Sequence, residues 1–146
     1  ADEAQTKRII QQNLEYLWEL VDTCDFDSLG HVDLVKRYAA NHGIKVDLAE
    51  YPDQLMPILR QLAERGKALE INTSGLRGPI GETSPTLKYV KRFRELGGEY
   101  VTLGSDAHAA EDLGEGIQQA MELACQAGFS YFTFYKKRQP RLLQIY

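Results

Sequence analysis

The sequence predicts an α/β domain built on a parallel sheet, and three observations carry that prediction. Short runs rich in β-branched and aromatic residues alternate with longer segments; the apolar residues of those segments recur at helical spacing; and the short runs end in glycine or paired polar residues. Strands separated by helices of ten or more residues need crossovers rather than hairpins, which makes the sheet parallel and buries both of its faces.

The elements follow in order. Ile10, Leu14, Leu17 and Val21 form one apolar stripe, predicting a helix from Thr6 to Thr23 with Trp18 beside the stripe. Phe26 to Leu29 reads as a strand that ends in Gly30-His31-Val32-Asp33, and Asp33 to Ala40 as a short helix before the stop at Asn41-His42-Gly43. Tyr51-Pro52-Asp53 opens a second long helix with Leu55, Leu59 and Leu62 inward and Arg65-Gly66 at its end. Ala68 to Asn72 is the next strand, followed by a polar, glycine-rich loop from Thr73 to Thr83. Ser84-Pro85 is expected to cap a helix with apolar face Leu87, Val90 and Leu96, stopped by Gly97-Gly98. Tyr100 to Leu103 is a third strand, a helix around Ile117, Met121 and Ala124 closes at Gly128, and Phe129 to Tyr135 is a fourth strand.

With 146 residues, 43% of them hydrophobic, the chain can bury one core. The net charge of -4 argues against nucleic acid or an anionic membrane as partner. Cys24 and Cys125 lack the spacing of a disulfide framework or a zinc knuckle, so a reduced, cytoplasmic setting is expected. No stretch approaches the ~20 apolar residues of a membrane span, and no signal peptide opens the chain. A start at Ala-Asp-Glu rather than Met suggests processing, removal of a tag or truncation, and the first residues look interior.

Three strands finish with two polar side chains one residue apart: His31/Asp33, Glu70/Asn72 and Asp106/His108. Residues two apart in a strand share a face, and in parallel β/α folds all carboxyl strand ends open onto one rim. Imidazoles and carboxylates gathered there are costly unless paired or bound to a cation, which favours a metal site for Zn, Mn or Fe. Such an ion lowers the pKa of bound water to about 7 and makes hydrolysis the natural reaction. Blander roles stand beside these: His31 as a turn residue, Asp106 as a helix cap, and Glu70 with Asn72 as a hydrogen-bonded pair supporting the next loop. Arg77, in a glycine-rich loop, is placed either to hold an anion such as phosphate or in solvent. His42 reads as a solvated loop residue, and Lys136, Lys137 and Arg138 as a solvated basic turn.

Gly30-His31-Val32-Asp33-Leu34-Val35-Lys36-Arg37-Tyr38, Glu70-Ile71-Asn72-Thr73-Ser74-Gly75-Leu76-Arg77 and Leu103-Gly104-Ser105-Asp106-Ala107-His108 together resemble the histidinol-phosphatase branch of the polymerase-and-histidinol-phosphatase (PHP) family. The resemblance spans Phe26 to about Pro140 and implies a distorted seven-stranded β/α barrel with three divalent metals at its carboxyl rim. It implies His31, Asp106 and His108 as metal ligands, Asp106 and His108 also as catalytic residues, Arg77 on the substrate phosphate, Glu70 and Asn72 as rim residues that orient ligands or contact substrate, and Asp33 as substrate-binding. The substrate implied is the small phosphomonoester L-histidinol phosphate, cleaved in histidine biosynthesis.

The family's opening His-x-His motif and its intervening His and Glu ligands have no counterpart in Ala1 to Asp25. Since an eight- or seven-unit barrel needs roughly 260 residues, the resemblance implies that residues 1–146 are a single partial domain, the carboxyl-terminal half, inactive alone. Another phosphoesterase of the same family and a non-catalytic half-barrel are the rival readings. A half-barrel leaves bare strand edges, and the aromatic, uncharged run Phe129 to Tyr135 is expected to join another copy in a homo-oligomer.

Overall fold

The computed structural model describes residues 3–30, 48–77, 81–104 and 116–145. Helix α1, Glu3–Thr23, buries Thr6, Ile10, Leu14, Leu17 and Val21, which lie three or four residues apart on one face. Trp18, beside that stripe, stays 39% exposed. The last turn of α1 leaves carbonyls without helical partners. Arg65 closes them from another element, its guanidinium donating to the carbonyls of Val21 at 2.5 Å and Cys24 at 3.0 Å.

Strand β1, Ser28–Leu29, pairs in parallel with β2, Ala68–Asn72, and β2 pairs in parallel with β3, Tyr100–Gly104. A short 3-10 turn, Leu48–Glu50, leads into α2, Pro52–Glu64, which buries Leu55, Ile58, Leu59 and Leu62. Pro52 starts it because a first-turn residue has no helical use for an N–H. After β2 come a 3-10 turn, Ser74–Arg77, and helix α3, Leu87–Glu95. After β3 the described chain resumes at Gly116 and enters α4, Ile117–Gln126.

Leu29, Leu69, Ile71 and Val101 project from one face of the sheet and are fully buried or nearly so. They belong to one apolar cluster with the inward residues of α1 to α4. That face follows the two-residue period of the strands and leaves Ser28, Ala68, Glu70, Asn72, Tyr100, Thr102 and Gly104 on the other. The α/β architecture with parallel strands is therefore as the alternation of elements predicts.

Three expectations are corrected. Ser84 does not cap α3: its N–H donates to the Asn72 carbonyl and its carbonyl accepts from the Asn72 N–H, both at 2.9 Å, so its backbone is committed to an antiparallel bridge. The cap position falls to Thr86, and the buried face is Tyr89, Val90 and Phe93, with Leu87 and Leu96 at its margin. The aromatic strand, β4 at Tyr131–Lys136, does not extend the parallel sheet. It forms an antiparallel hairpin with β5, Gln139–Gln144, which the sequence reading lacks. One edge of β4 is thereby covered from within the chain, so bare-edge pairing loses that edge.

The basic turn is the third correction. Lys137 and Arg138 occupy the two turn positions with φ of 50° and 63°, the mirror-image geometry that matches strand twist. Arg138 is not merely solvated: its Nη1 and Nη2 donate to both oxygens of Asp25 at 2.8 and 2.6 Å, and its Nε and Nη2 to Asp27 at 3.2 Å. These bonds hold the Asp25 carboxyl below its ordinary range and push the guanidinium up. Tyr135 adds a hydroxyl bond to the Asp27 carbonyl at 3.2 Å, and burial raises its phenol above the usual value. The hairpin is thus tied to the chain just before β1, at the opposite end of the sheet from Glu70 and Asn72.

Candidate functional site

Glu70 stands on the central strand opposite Thr102, and the glycines that flank it on the neighbouring strands explain its setting. β1 ends next to Gly30, and β3 ends at Gly104. A Cβ on Gly104 would come within 2.6 Å of Glu70 Oε2, and one on Gly30 within 3.0 Å of Oε1. The carboxylate therefore lies flat over two backbones, and any side chain at either position would push it aside. Two glycines make room for one acid.

Asn72, fully buried, fixes the direction of that acid. Its Nδ2 donates to Glu70 Oε1 at 3.1 Å while its Oδ1 accepts from the Ser74 N–H at 2.9 Å. The amide cannot be turned round: the backbone N–H requires the oxygen, which leaves the NH2 for the carboxylate. Beyond it Thr73 continues the ladder to β3, its N–H donating to the Gly104 carbonyl at 2.8 Å.

The loop after β2 is closed at its neck by the Asn72–Ser84 bridge and internally by Gly81 N–H donating to the Gly75 carbonyl at 3.0 Å. Gly75 is required there, since a Cβ would overlap the Glu82 carbonyl oxygen. Leu76 N–H donates to the Thr73 carbonyl, forming the 3-10 turn that ends at Arg77. Gly116, at φ 79°, packs where a Cβ would meet Leu76 at 2.7 Å and Thr73 at 3.0 Å. Chain that leaves at Gly104 and returns at Gly116 thus starts and finishes beside Thr73.

On the same face, Thr102, level with Glu70, and Ser28, level with Ala68, share a hydrogen bond of 2.7 Å between Oγ1 and Oγ. Their strands are separated by β2, roughly 9.5 Å in a flat sheet, a gap that two short hydroxyl side chains do not span. The contact requires the sheet to curl toward this face, making a polar concavity with Glu70 at its carboxyl edge.

Of the residues singled out from sequence, Glu70 and Asn72 are brought together in one hydrogen-bonded pair, and Arg77 ends the turn that follows them. His31, Asp33, Asp106 and His108 lie outside the described residues, as does His42. Among the described residues no three His, Cys, Asp or Glu side chains gather as a ligand set. The sequence reading missed Gly30 and Gly104 as the bed for Glu70, and the Ser28–Thr102 pair. The signal was partial: a glycine directly after β1, another two residues beyond Thr102, the register partner of Glu70, and hydroxyls on the same face. A separate cleft of about 490 Å³ lies between α1 and α2, lined by Leu14, Trp18 and Pro57 with Glu15, Glu19 and Asp53, and none of these is a strand residue.

No family model matches the chain. It is 37% identical over 119 residues to a histidinol-phosphatase of Lactococcus lactis, covering 79% of this chain and 44% of that protein. Over 120 residues it is 36% identical to a Thermotoga maritima protein named "Probable histidinol-phosphatase", covering 82% of this chain and 49% of the relative. The crystal structure of histidinol phosphate phosphatase from Lactococcus lactis, complexed with zinc, L-histidinol and phosphate, superposes with a TM-score of 0.72 at 27% identity over 90% of this chain and 50% of that one. The chain spans about half the length of the relatives it matches. Along most of its own length, it is a homologue of the histidinol-phosphatases.

Proposed function

We propose that this chain forms the carboxyl-terminal half of a metal-dependent phosphatase site, and that a polypeptide of the relatives' full length containing it hydrolyses L-histidinol phosphate to L-histidinol and phosphate. The observation that carries the reading is the meeting of Gly30 and Gly104 over Glu70. His31 directly follows the first, and Asp106 and His108 follow the second by two and four residues. The curl implied by the Ser28–Thr102 bond is consistent with half of a distorted seven-stranded PHP barrel.

The donor set fits a divalent cation such as zinc, manganese or iron, with imidazoles from His31 and His108 and a carboxylate from Asp106. A bound ion supplies hydroxide at neutral pH and polarises the phosphoryl oxygens. The guanidinium of Arg77 grips the substrate phosphate as a paired donor. Glu70 and Asp33 face the rest of the substrate, and buried Asn72 holds Glu70 in place. Exposed Phe134, Leu142 and Leu143 on the hairpin support self-association of the protein.

In the full-length polypeptide, Asp106→Ala or His108→Ala is expected to lose bound metal and turnover together. Arg77→Ala is expected to raise KM, the loss of charged phosphate contacts amounting to about 1.5–3 kcal/mol. Metal analysis with steady-state kinetics on L-histidinol phosphate checks both, and an unchanged KM for Arg77→Ala removes it from the phosphate site. The 146-residue chain alone is expected to be nearly inactive. Turnover on the order of 10 per second by that chain would defeat the half-site reading. A Shewanella pealeana relative, 35% identical over 101 residues and named "Probable phosphatase", favours a broader phosphomonoesterase as the second reading, which a panel of phosphomonoesters separates.

A further inference from the structure

We infer that the open edge of β5 docks a second copy of this chain, the two β5 strands pairing antiparallel about a two-fold axis at Leu143 and joining both hairpins into one sheet. The inference is independent of the hydrolytic chemistry proposed above, and it gives the self-association proposed there a surface and a register. Among the described residues β5 pairs with β4 alone. Gln139, Arg141, Leu142, Leu143 and Gln144 are all exposed along it. Leu142 and Leu143 point to opposite faces, so each face of this edge carries apolar surface that an added strand covers.

The ladder between β4 and β5 fixes which backbone groups the edge offers. Ile145 N–H donates to the Ser130 carbonyl at 3.0 Å, one step beyond the Tyr131–Gln144 pair. Bonded and non-bonded pairs alternate in an antiparallel ladder, which makes Phe132–Leu143 and Phe134–Arg141 bonded pairs. Leu142 and Gln144 therefore turn their N–H and C=O groups away from β4, toward the open edge. Pro140 lies in the same phase and has no N–H to offer.

These groups and the charges beside them select one register. With the axis at Leu143, Leu142 of each copy meets Gln144 of the other, and every outward N–H of these residues finds a carbonyl. The two Leu143 side chains stand directly opposite, and exposed Phe134, diagonal to Leu143, extends the apolar strip into both hairpins. An axis at Leu142 sets Pro140 against Gln144 and forfeits the donor that proline lacks. An axis at Arg141 sets two guanidinium groups face to face, which is destabilising. That repulsion matters because the hairpin from Tyr131 to Gln144 carries Lys136, Lys137, Arg138 and Arg141 and no acid. In the Leu143 register the two Arg141 residues lie roughly 14 Å apart along the strands, beyond the screening length of about 10 Å in 0.1 M salt. On the other face, the partner's Gln144 comes beside Leu142, at a hollow of about 280 Å³ that Leu142 lines with Tyr131, Arg94 and Glu99. An amide, donor and acceptor at once, suits a rim bearing both signs of charge.

The test uses the full-length polypeptide. Light scattering over a dilution series is expected to show a dimer. Leu143→Lys, which sets two ammonium groups directly opposite in place of an apolar pair, is expected to raise its Kd at least about tenfold. Mild oxidation reads the register. Leu143→Cys is expected to form a disulfide between the two copies of position 143, whose Cα atoms stand about 4.5 Å apart in this pair type, within the span of such a bond. Arg141→Cys is expected to give no cross-link, and the unsubstituted polypeptide is the blank for Cys24 and Cys125. A monomer at high micromolar concentration overturns the inference together with self-association, and means that β5 is covered within the longer polypeptide. A dimer that Leu143→Lys leaves intact, or that Leu143→Cys cross-links no better than Arg141→Cys, overturns the inference alone and leaves self-association standing.

Discussion

Asn72 shows how one amide sets the geometry of an acid. Its oxygen is claimed by the Ser74 N–H and its NH2 by Glu70, within a fully buried side chain. Asn72→Asp keeps the first bond and replaces the second by two facing carboxylates about 3.1 Å apart. Two acids sharing a site cannot both ionise cheaply, so one of them takes a raised pKa in the folded state. The sign follows: the variant is closest to the parent at acid pH, and stability is lost as pH rises through that raised value. We expect a deficit of at least about 2 kcal/mol at pH 7 that shrinks toward pH 4, measured by urea unfolding at both. A deficit independent of pH would contradict the arrangement. The pairing of Glu70 with Asn72 was foreshadowed by their spacing, since residues two apart on a strand share a face. The glycines beneath them were not read as part of the site, because a residue without a side chain carries no chemical signal until its neighbour is known.

The hairpin shows what element-level patterns do and do not reveal. β5 contains Pro140, Arg141 and two glutamines and lies mostly exposed, so its composition gives little sign of a strand. Its turn, Lys137-Arg138, lacks the Asn-Gly or Asp-Gly that announces a two-residue hairpin. Left-handed backbone costs an L-residue about 1–2 kcal/mol, while glycine adds unfolded-chain entropy. Lys137→Gly is therefore expected to stabilise the chain by about 0.5–1 kcal/mol, seen as a higher thermal midpoint; no gain would mean the turn is not strained at Lys137. The helices were easier. The stripes of α1 and α2 repeat every three or four residues and were legible as written, whereas the start of α3 was misread because Ser84 is drawn into the bridge with Asn72.

At the scale of the molecule, residues more than a hundred positions apart are joined by Arg138 with Asp25 and Asp27. The depressed Asp25 pKa, caused first by the hydrogen bond from Arg138, has a definite consequence. Its contribution to stability is present above the unfolded value near ~3.9 and is lost as pH falls through the lower folded value. The same contribution weakens with salt, because both groups are exposed. Arg138→Ala is expected to speed hydrogen exchange of the β4 and β5 amides at neutral pH and to erase the difference on acidification. Equal protection in both proteins at pH 7 would mean the clasp does not hold the hairpin.

Exposure of Phe134 at 52%, Leu142 at 55% and Leu143 at 63% leaves apolar surface on the hairpin, and we expect the isolated chain to self-associate there. Light scattering over a dilution series checks this, and a monomer at high micromolar concentration would rule it out.

Local order along the chain determined the alternation of α1, β1, α2, β2, α3, β3 and α4, because apolar periodicity is written in neighbouring residues and survives without any knowledge of the partner surface. It also determined that Glu70 and Asn72 share a face at the end of β2. Only the tertiary structure decided that β4 turns back on β5, that Ser84 pairs with Asn72, and that Glu70 lies on Gly30 and Gly104. Each of these depends on which backbone comes to lie beside which. Such contacts are set by the closeness of approach between distant segments, and a glycine, a turn lysine or a bridging serine looks the same in sequence wherever that approach occurs.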